Sequence, residues 1–457
     1  MRRAFLVVIA VMSMSTMAGA SEVPTVNEVD APPYGAREED LGLEGDWSTH
    51  ESMPRDSETV KSYAFENDIS EDRAFDVLMW QGRVSDKASA LPDLIPELAE
   101  VRFVRGDDRL IVEVKGDGAS ARAIVAREFG SDADRVEVRG GAAMTRSERV
   151  EFQAANPTRK IDPVTGRVTE NQLVAHPSVE VQSCQQLTGG TTDAGRLVIM
   201  NSGYPDTFLS ETFNDWTDCF WTGFTMCSQA FTATHNTAGS PHYQGYLTAG
   251  HCGGNEATNH YWTSMYANNM EHSYAGHKAF QDFNSTYDDV QFNREVYAST
   301  SPENRVYIDE ENGYRSITSS NGSFYVPVDT YLCAKSAFNG FLGAGKWARH
   351  DDTAGFWCGY TTDNDENPHS VFGWGRWFSM DVSPYYLNNE RGCIGGSSGS
   401  AVWNNANGKA EGILTDCADV EVVVKDFQNQ NVSIMRVMWV QYIEYAEDIL
   451  NVTVLTS

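Results

Sequence analysis

Cysteine is missing from the first 183 residues of this 457-residue chain, whereas eight cysteines follow between positions 184 and 417. No two of them have the C-x-x-C spacing and no H-E-x-x-H motif occurs, so the sequence gives no support for a zinc site. We expect no metal and no cofactor. This uneven distribution of cysteine indicates two distinct regions, of which only the second can be cross-linked by its own cysteines.

Positive charge and long apolar runs are also scarce. The chain has 34 Lys and Arg residues against 64 Asp and Glu residues, for a formal net charge of −30. Nucleic acid and anionic membrane surfaces would repel it, so neither is expected as a partner. Beyond the N-terminus no stretch approaches the roughly 18 uninterrupted apolar residues of a membrane span.

The N-terminus has the order of a secretory signal peptide. Arg2 and Arg3 precede the apolar run AFLVVIAVM, and small residues end at Ala20. This order predicts a signal peptide over residues 1–20 and a secreted protein, extracellular or periplasmic. In such an oxidising compartment the cysteines are expected to form disulfides, although their number alone leaves the connectivity open.

Residues 21–180 are predicted to be a leader followed by a small α+β unit. SEDRAFDVLMWQGRV, from Ser70, spaces apolar residues three and four apart and predicts a helix. VRFVRGDDRLIVEVKG alternates around Gly-Asp-Asp and predicts a hairpin. ASARAIVAREFG predicts a helix that ends at Gly130, and DRVEVRGG predicts a strand. ALPDLIPELAE is a further amphipathic stretch, and residues 145–180 are interpreted as a linker.

The region 181–457 is predicted to be mostly β, since strand-length runs alternate with turn signals. Asn-Gly pairs, which favour tight hairpin turns, begin at Asn312, Asn321, Asn339 and Asn407. Helical spacing returns only in MWVQYIEYAEDIL, with an apolar stripe through Trp439, Ile443, Ala446 and Leu450. The pattern indicates a β-rich domain closed by one C-terminal helix.

Three short motifs in this region supply the residue types of nucleophilic catalysis. They are GYLTAGHCGG around His251, YDDVQF around Asp289 and CIGGSSGSAVW around Ser398. Each is weak alone: a lone histidine is usually structural, an acid at a strand edge is ordinary, and Gly/Ser runs are typical of linkers. Together they fit one reaction, in which imidazole takes the serine proton and a buried carboxylate orients the imidazole.

LTAGHC resembles the histidine motif of chymotrypsin-like (trypsin-like) serine proteases, particularly the bacterial branch of streptogrisins and α-lytic protease. GSSGSAVW and DDVQF are similar to that family's nucleophile and aspartate motifs, and the order His251, Asp289, Ser398 is also the family's. The resemblance covers residues 184–457. It implies two packed antiparallel Greek-key β-barrels with a C-terminal helix, His251 and Asp289 coming from the first barrel and Ser398 from the second.

The resemblance also implies supporting roles. Backbone N–H groups of Gly396 and Ser398 would form the oxyanion hole, and Thr415 would support the catalytic aspartate. Asp289 is preferred over Asp288 because DVQF starts the strand in the right phase. The implied disulfides are Cys227–Cys252, Cys333–Cys358, Cys393–Cys417 and Cys184–Cys219.

Ser397 departs from the family, most members of which have an aspartate directly before the nucleophile. That acid anchors the oxyanion loop through a buried ion pair, and its replacement motivates the first of two alternatives that stay open. One is a non-catalytic secreted binding protein on a protease scaffold. The other is a serine esterase.

The cysteine-free unit resembles the pro regions of the same bacterial branch, especially in FENDISEDRAFDVLMWQGRV and RLIVEVKGD. This implies a zymogen whose pro region helps the protease to fold and inhibits it until cleavage. The expected substrates are proteins or peptides, and the expected state is a monomer. An independent accessory domain is the alternative interpretation of the unit.

Overall fold

The computed structural model describes the following residues: 49–50, 52–170, 181–182, 197–199, 207–208, 224–226, 228, 230–236, 243–250, 259–266, 269–284, 288–295, 304–309, 313–336, 355–366, 376–394, 397–425 and 431–457. Within these ranges no helix is both long and apolar enough to cross a membrane.

The N-terminal unit, residues 52–170, combines helices with a three-stranded sheet. Its helices are α1 (Glu58–Asn67), α2 (Glu71–Ser89), α3 (Leu91–Leu94), α4 (Ala119–Phe129) and α5 (Arg146–Ala155). The first strands of the chain are β1 (Thr49–His50), β2 (Leu98–Phe103), β3 (Leu110–Val114), β4 (Val136–Gly140), β5 (Arg159–Ile161) and β6 (Val168–Glu170). Strand β3 pairs antiparallel with β2 and parallel with β4, and β5 pairs with β6.

Local sequence signals predicted most of this unit. The helix predicted from Ser70 is confirmed as α2, where the Ser70 hydroxyl accepts a hydrogen bond from the N–H of Arg73 at 3.3 Å. The predicted hairpin is confirmed as β2–β3, with Phe103 opposite Leu110. The predicted helix ending at Gly130 and the strand after it are confirmed as α4 and β4.

One interpretation of the N-terminal sequence is wrong. The 145–180 segment is not only a linker, because it contains α5, β5 and β6. The missed signal is TRSE, a capping box in which Thr145 and Glu148 each bond to the other's backbone N–H. The amphipathic stretch ALPDLIPELAE becomes the four-residue α3 and the start of β2, since Leu98 already pairs with Val114.

The strands of the rest of the chain form sheets of mixed size. The strands up to the first large sheet are β7 (Val181–Gln182), β8 (Leu197–Ile199), β9 (Thr207–Phe208), β10 (Phe224–Met226), β11 (Thr232–His235), β12 (Tyr243–Thr248), β13 (Asn259–Tyr266), β14 (Asn269–Asn284) and β15 (Asp288–Glu295). The later strands are β16 (Arg305–Asp309), β17 (Gly313–Ser316), β18 (Ser319–Ser320), β19 (Tyr331–Lys335), β20 (Phe356–Glu366), β21 (Trp377–Val382), β22 (Ala401–Asn404), β23 (Lys409–Lys425), β24 (Asn431–Tyr442) and β25 (Val452–Val454). In the described part of this region two helices lie among the strands, α6 (Pro384–Leu387) and α7 (Ile443–Leu450).

The prediction of a mostly β region is confirmed. The first large sheet has the order β25-β11-β12-β15-β14-β13-β9 and forms a half-barrel. The second has the order β18-β23-β22-β19-β20-β21-β24, and β24 also pairs with β23, so that six strands close into a barrel. Two smaller sheets have the orders β1-β17-β16 and β7-β10-β8.

One of the four predicted Asn-Gly turns is confirmed. Asn407 lies between the paired antiparallel strands β22 and β23. The prediction is wrong at Asn321, because the preceding strand β18 pairs in parallel with β23 and no hairpin follows. Asn312 and Asn339 lie outside the described residues.

The C-terminal helix is present but shorter than its apolar stripe predicted. Trp439 lies on β24, opposite Ser379 of β21, and packs against Trp377. The helix α7 starts only at Ile443. The spacing is helical across 439–443 because Trp439, near the end of a strand, and Ile443, the first residue of the helix, are four positions apart. After α7, β25 pairs with β11 and returns the chain to the half-barrel.

The N-terminal unit and the closed barrel share one hydrophobic core along a contact surface that we call the seam. Its sides are α1, α2, α5 and β2 on the N-terminal unit, and β19, β20, β23 and residues 325–328 on the other part. Tyr63 of α1 is fully buried, with its ring centroid 5.0 Å from that of Tyr331 and 5.8 Å from that of Tyr360. Val77 and Leu78 of α2 belong to the same buried cluster.

Polar groups cross the seam as well. Arg149 of α5 is only 4% exposed and binds Asp363 of β20 at 3.1 Å. The N–H of Phe103 donates to the carbonyl of Val328, and the N–H of Val328 donates to the carbonyl of Val101, both at 2.9 Å. These three interactions cross the seam, and separating its two sides would leave their buried polar groups without these partners.

A carboxyl group buried at the seam makes stability depend on pH. Glu411 of β23 is 1% exposed and accepts a hydrogen bond from Asn321 Nδ2 at 2.7 Å. Burial raises the pKa of Glu411 to about 7, against the lowering effect of Lys409, whose ammonium also binds Asp86 of α2 at 2.6 Å. A raised folded-state pKa means that stability is fully present below the unfolded value and is lost as the pH rises through about 7.

We therefore expect Glu411→Gln to stabilise the protein at pH 8 and to change little at pH 5. The amide oxygen can still accept from Asn321, while the cost of a buried charge, at most about 3 kcal/mol for this shift, disappears. The measurement is the melting temperature of both proteins from pH 5 to pH 8. Glu97→Gln, at an exposed position, is the matched control. Parallel curves for wild type and Glu411→Gln would contradict the prediction.

Candidate active site

Asp289 lies where the half-barrel meets the closed barrel. It is the second residue of β15, between β12 and β14, and its side chain is fully buried. Its backbone N–H donates to Gln441 Oε1 at 3.2 Å, and Gln441 belongs to β24 of the closed barrel. The alternative acid, Asp288, begins the same strand, and its side chain lies outside the described residues.

The segment between the end of β12 and His251 passes close to Asp289. A Cβ atom at Gly250 would lie 3.0 Å from Asp289 Oδ1 and 2.9 Å from the backbone nitrogen of Val290. Glycine is therefore required by the close approach of this segment to the carboxylate. His251, the next residue, lies outside the described residues. The backbone therefore lies next to the Asp289 carboxylate at Gly250, one residue before the predicted base.

Ser398 is half-buried in the turn formed by residues 397–400, between the Cys393 region and β22. Its hydroxyl donates to the carbonyl of Thr415 at 3.0 Å. Its own carbonyl accepts from the N–H of Ser228 at 2.7 Å. The N–H of the next residue, Gly399, donates to Leu414 at 2.6 Å. Strand β23 therefore holds the turn on one side, and the segment before β11 holds it on the other.

Gly399 shows how closely the two sheets approach at this turn. Its φ is +90°, and a Cβ atom there would overlap the carbonyl oxygen of Ser228 and the hydroxyl of Thr248. Thr248 is the last residue of β12, two residues before Gly250. A side chain at 399 would be excluded by both backbone strain and contact, so glycine after the predicted nucleophile is a requirement of this geometry.

The supporting role that the resemblance implies for Thr415 stays a prediction. The hydroxyl of Thr415 is buried and has no hydrogen-bond partner in the part of the chain that the structure describes. The pairing of β23 with β24 shifts register between Leu414 and Asp416, and this irregularity lies at Thr415. Its carbonyl, rather than its hydroxyl, contacts the site, by accepting from Ser398.

Two of the four implied disulfides lie among the described residues. Cys393, just before the nucleophile turn, is bonded to Cys417 of β23, with Cα atoms 6.3 Å apart. Cys333 of β19 is bonded to Cys358 of β20. The first bridge links the segment before Ser398 to β23, the strand whose Thr415 carbonyl accepts the hydrogen bond of the Ser398 hydroxyl. The other predicted pairs, Cys227–Cys252 and Cys184–Cys219, and the oxyanion residue Gly396 lie outside the described residues.

Sequence reasoning missed several residues that contact the predicted site. Gln441, Thr248, Ser228 and Ser336 all lie against it, and no motif marks any of them. Their only link to the site is through contacts between distant segments. Among the described residues there is no group of three or more His, Cys, Asp or Glu side chains that could hold a metal ion.

Comparison with known proteins gives structural neighbours only. No protein-family model matches the chain, and no curated protein matches its sequence. Thermobifida fusca Protease A matches at 15% identity and a TM-score of 0.32, over 50% of this chain and 92% of that chain. Cellulomonas bogoriensis chymotrypsin matches at 16% identity and 0.33, over 57% and 100%. Nocardiopsis protease matches at 16% identity and 0.32, over 50% and 93%. Matches this weak carry no argument of their own, so the functional argument rests on the motifs and the geometry above.

Proposed function

We propose that this chain is a secreted serine endopeptidase that hydrolyses peptide bonds through an acyl-enzyme. Ser398 attacks the peptide carbonyl and His251 takes its proton, while Asp289 orients the imidazole and stabilises its cation. The backbone N–H groups of Gly396 and Ser398 receive the developing oxyanion. The roles of His251 and Gly396 come from the sequence motifs.

The observation that carries the proposal is the meeting of three motifs from distant parts of the chain. Gly250, next to His251, lies against the carboxylate of Asp289, and Thr248, the last residue of β12, lies against Gly399, next to Ser398. A histidine on a surface, an acid at a strand edge and a Gly/Ser linker would have no reason to converge. Nucleophilic catalysis needs this convergence, since base, orienting acid and nucleophile must lie within hydrogen-bond reach.

The remaining parts of the proposal concern how the enzyme is made. The chain is exported through residues 1–20 and folds as a monomeric zymogen. Residues 21–180 help residues 181–457 to fold and inhibit them until cleavage. The substrates are proteins or peptides, and no cofactor takes part. The seam supports the folding role, because the N-terminal unit completes a core of the closed barrel.

The deciding experiment is labelling with a fluorophosphonate, followed by mapping of the labelled peptide. Only a serine activated by a neighbouring base reacts, so we expect a single label on Ser398 and none on heat-unfolded protein. Absence of label would favour the non-catalytic binding protein. Label together with hydrolysis of a simple ester but not of casein would favour the esterase. A label on Ser397 would show that the wrong serine has been chosen.

A further inference from the structure

Three serine hydroxyls lie in a row behind the turn that carries Ser398. The hydroxyl of Ser397 donates to Ser336 Oγ at 3.0 Å, and Ser336 Oγ lies 3.3 Å from Ser228 Oγ. None of the three residues is more than 1% exposed. They come from the nucleophile turn, from the end of β19 and from the segment before β11. We call them the serine chain.

Ser397 fixes the start of the turn from within. Its backbone N–H donates to the carbonyl of Ile394 at 3.0 Å, and its hydroxyl accepts from the N–H of Ile394 at 3.1 Å. The same hydroxyl donates to Ser336. Its single proton and one of its two lone pairs are therefore used in hydrogen bonds. In the described part of the chain this hydroxyl bonds to no charged group.

Ser228 connects the far end of the serine chain to both sheets. Its N–H donates to the carbonyl of Ser398, and its carbonyl accepts from the Thr248 hydroxyl, both at 2.7 Å. Thr248 ends β12 of the half-barrel, whereas Ser336 follows β19 of the closed barrel. The serine chain therefore connects the two sheets directly behind the nucleophile.

We propose that Ser397, Ser336 and Ser228 are positioning residues that hold the oxyanion turn through neutral hydrogen bonds. The inference rests on the proposed role of Ser398 as nucleophile. A charged anchor at a fully buried position needs a buried counter-charge, because an unpaired buried charge is prohibitive. A hydroxyl both donates and accepts, so a row of hydroxyls orders the turn without that requirement.

Ser336→Ala tests the proposal in the protein folded as the full chain and then cleaved after residue 180. We expect kcat for p-nitrophenyl acetate and the rate of fluorophosphonate labelling to fall roughly 10- to 100-fold, because a small displacement of the oxyanion donors weakens transition-state binding. KM should stay within about twofold, since substrate binding is not changed. Ser397→Ala should behave alike, and the double variant should be no slower than the slower single variant, because the two hydroxyls are partners.

Thr330→Val is the matched control. Thr330 directly precedes β19, as Ser336 directly follows it, and its hydroxyl is equally buried and donates to the carbonyl of Pro327 at 2.6 Å. It should lower the melting temperature about as much as Ser336→Ala does, without slowing catalysis well below that temperature. Ser336→Thr keeps the hydroxyl and should recover most of the rate. Wild-type rates in Ser336→Ala, or strictly additive effects in the double variant, would overturn the inference alone. A wild type that takes no label would overturn the inference and the proposed function together.

Ser397→Asp tests whether position 397 is adapted to a neutral hydroxyl in the serine chain or still favours a carboxylate. If the site favours an anion, this variant should be faster than wild type. We expect it to be slower than Ser397→Ala and to melt at a lower temperature, since its carboxylate would be fully buried between Ile394 and Ser336. Faster labelling than wild type would overturn the proposal.

Discussion

Replacing Ser398 with alanine is expected to lower casein hydrolysis roughly 10⁴-fold or more and to abolish fluorophosphonate labelling. The fold should survive, because Ser398 is only half-buried and its hydroxyl donates a single hydrogen bond, to the Thr415 carbonyl, among the described residues. A surface-accessible hydroxyl of this kind contributes about 1 kcal/mol or less to stability. The measurements are turnover of casein after cleavage of residues 21–180 and the melting temperature of the purified full-length protein.

The neighbouring serine provides the control for this prediction. Ser397→Ala should lose only the smaller factor expected of a positioning residue and should still take the label. Loss of activity in Ser397→Ala with full activity in Ser398→Ala would reverse the assignment. His251→Ala should cost nearly as much as Ser398→Ala, and the double variant should cost little more, since members of a triad act as a unit.

Signals within a short stretch of sequence predicted individual elements well. Ser70 caps α2, because its hydroxyl accepts a hydrogen bond from an N–H of the first helical turn that has no partner within the helix. Residues 401–404 pair with β23 through an Asn-Gly turn. Both effects involve residues only a few positions apart. The start of α7 was missed because Trp439 and Ile443 have helical spacing, while pairing with β21, over fifty residues earlier, makes Trp439 part of a strand.

The candidate site divides in the same way. Asp289 and Ser398 could be proposed from the sequence, because each lies in a short contiguous motif of residues that suit nucleophilic catalysis. Ser336 could not, since its contact with Ser397 joins residues 61 positions apart and nothing near either serine indicates the other. The same holds for Gln441, which bonds to Asp289 across 152 positions. Residues that act by supporting a site are fixed by tertiary packing, and that information is spread over the whole chain.

Removing residues 21–180 is expected to reduce the activity recovered on refolding of residues 181–457 to less than about a tenth. Without α1, the barrel would expose Tyr331 and Tyr360, which now pack on Tyr63, and Val328 would lose its backbone partners on β2. A closed barrel also depends on pairing between distant strands, which is slow and prone to kinetic traps. The measurement is the yield of labelled protein after dilution from denaturant, with the N-terminal unit removed by proteolysis before the label is added.

Residues 21–180 supplied as a separate polypeptide should restore most of that yield. This unit has a second hydrophobic core, around Trp80 and Phe129, to which Tyr325 is the one contributor from outside the unit among the described residues. That core gives the unit the means to fold before it docks. Arg149→Ala in the added unit should weaken the rescue, because Asp363 would lose the buried guanidinium that binds it at 3.1 Å. Arg127→Ala is the matched control, since that arginine is exposed and bonds only to its neighbour Glu128 among the described residues. Equal recovery with and without the added unit would reject the folding role and leave an accessory domain as the better interpretation.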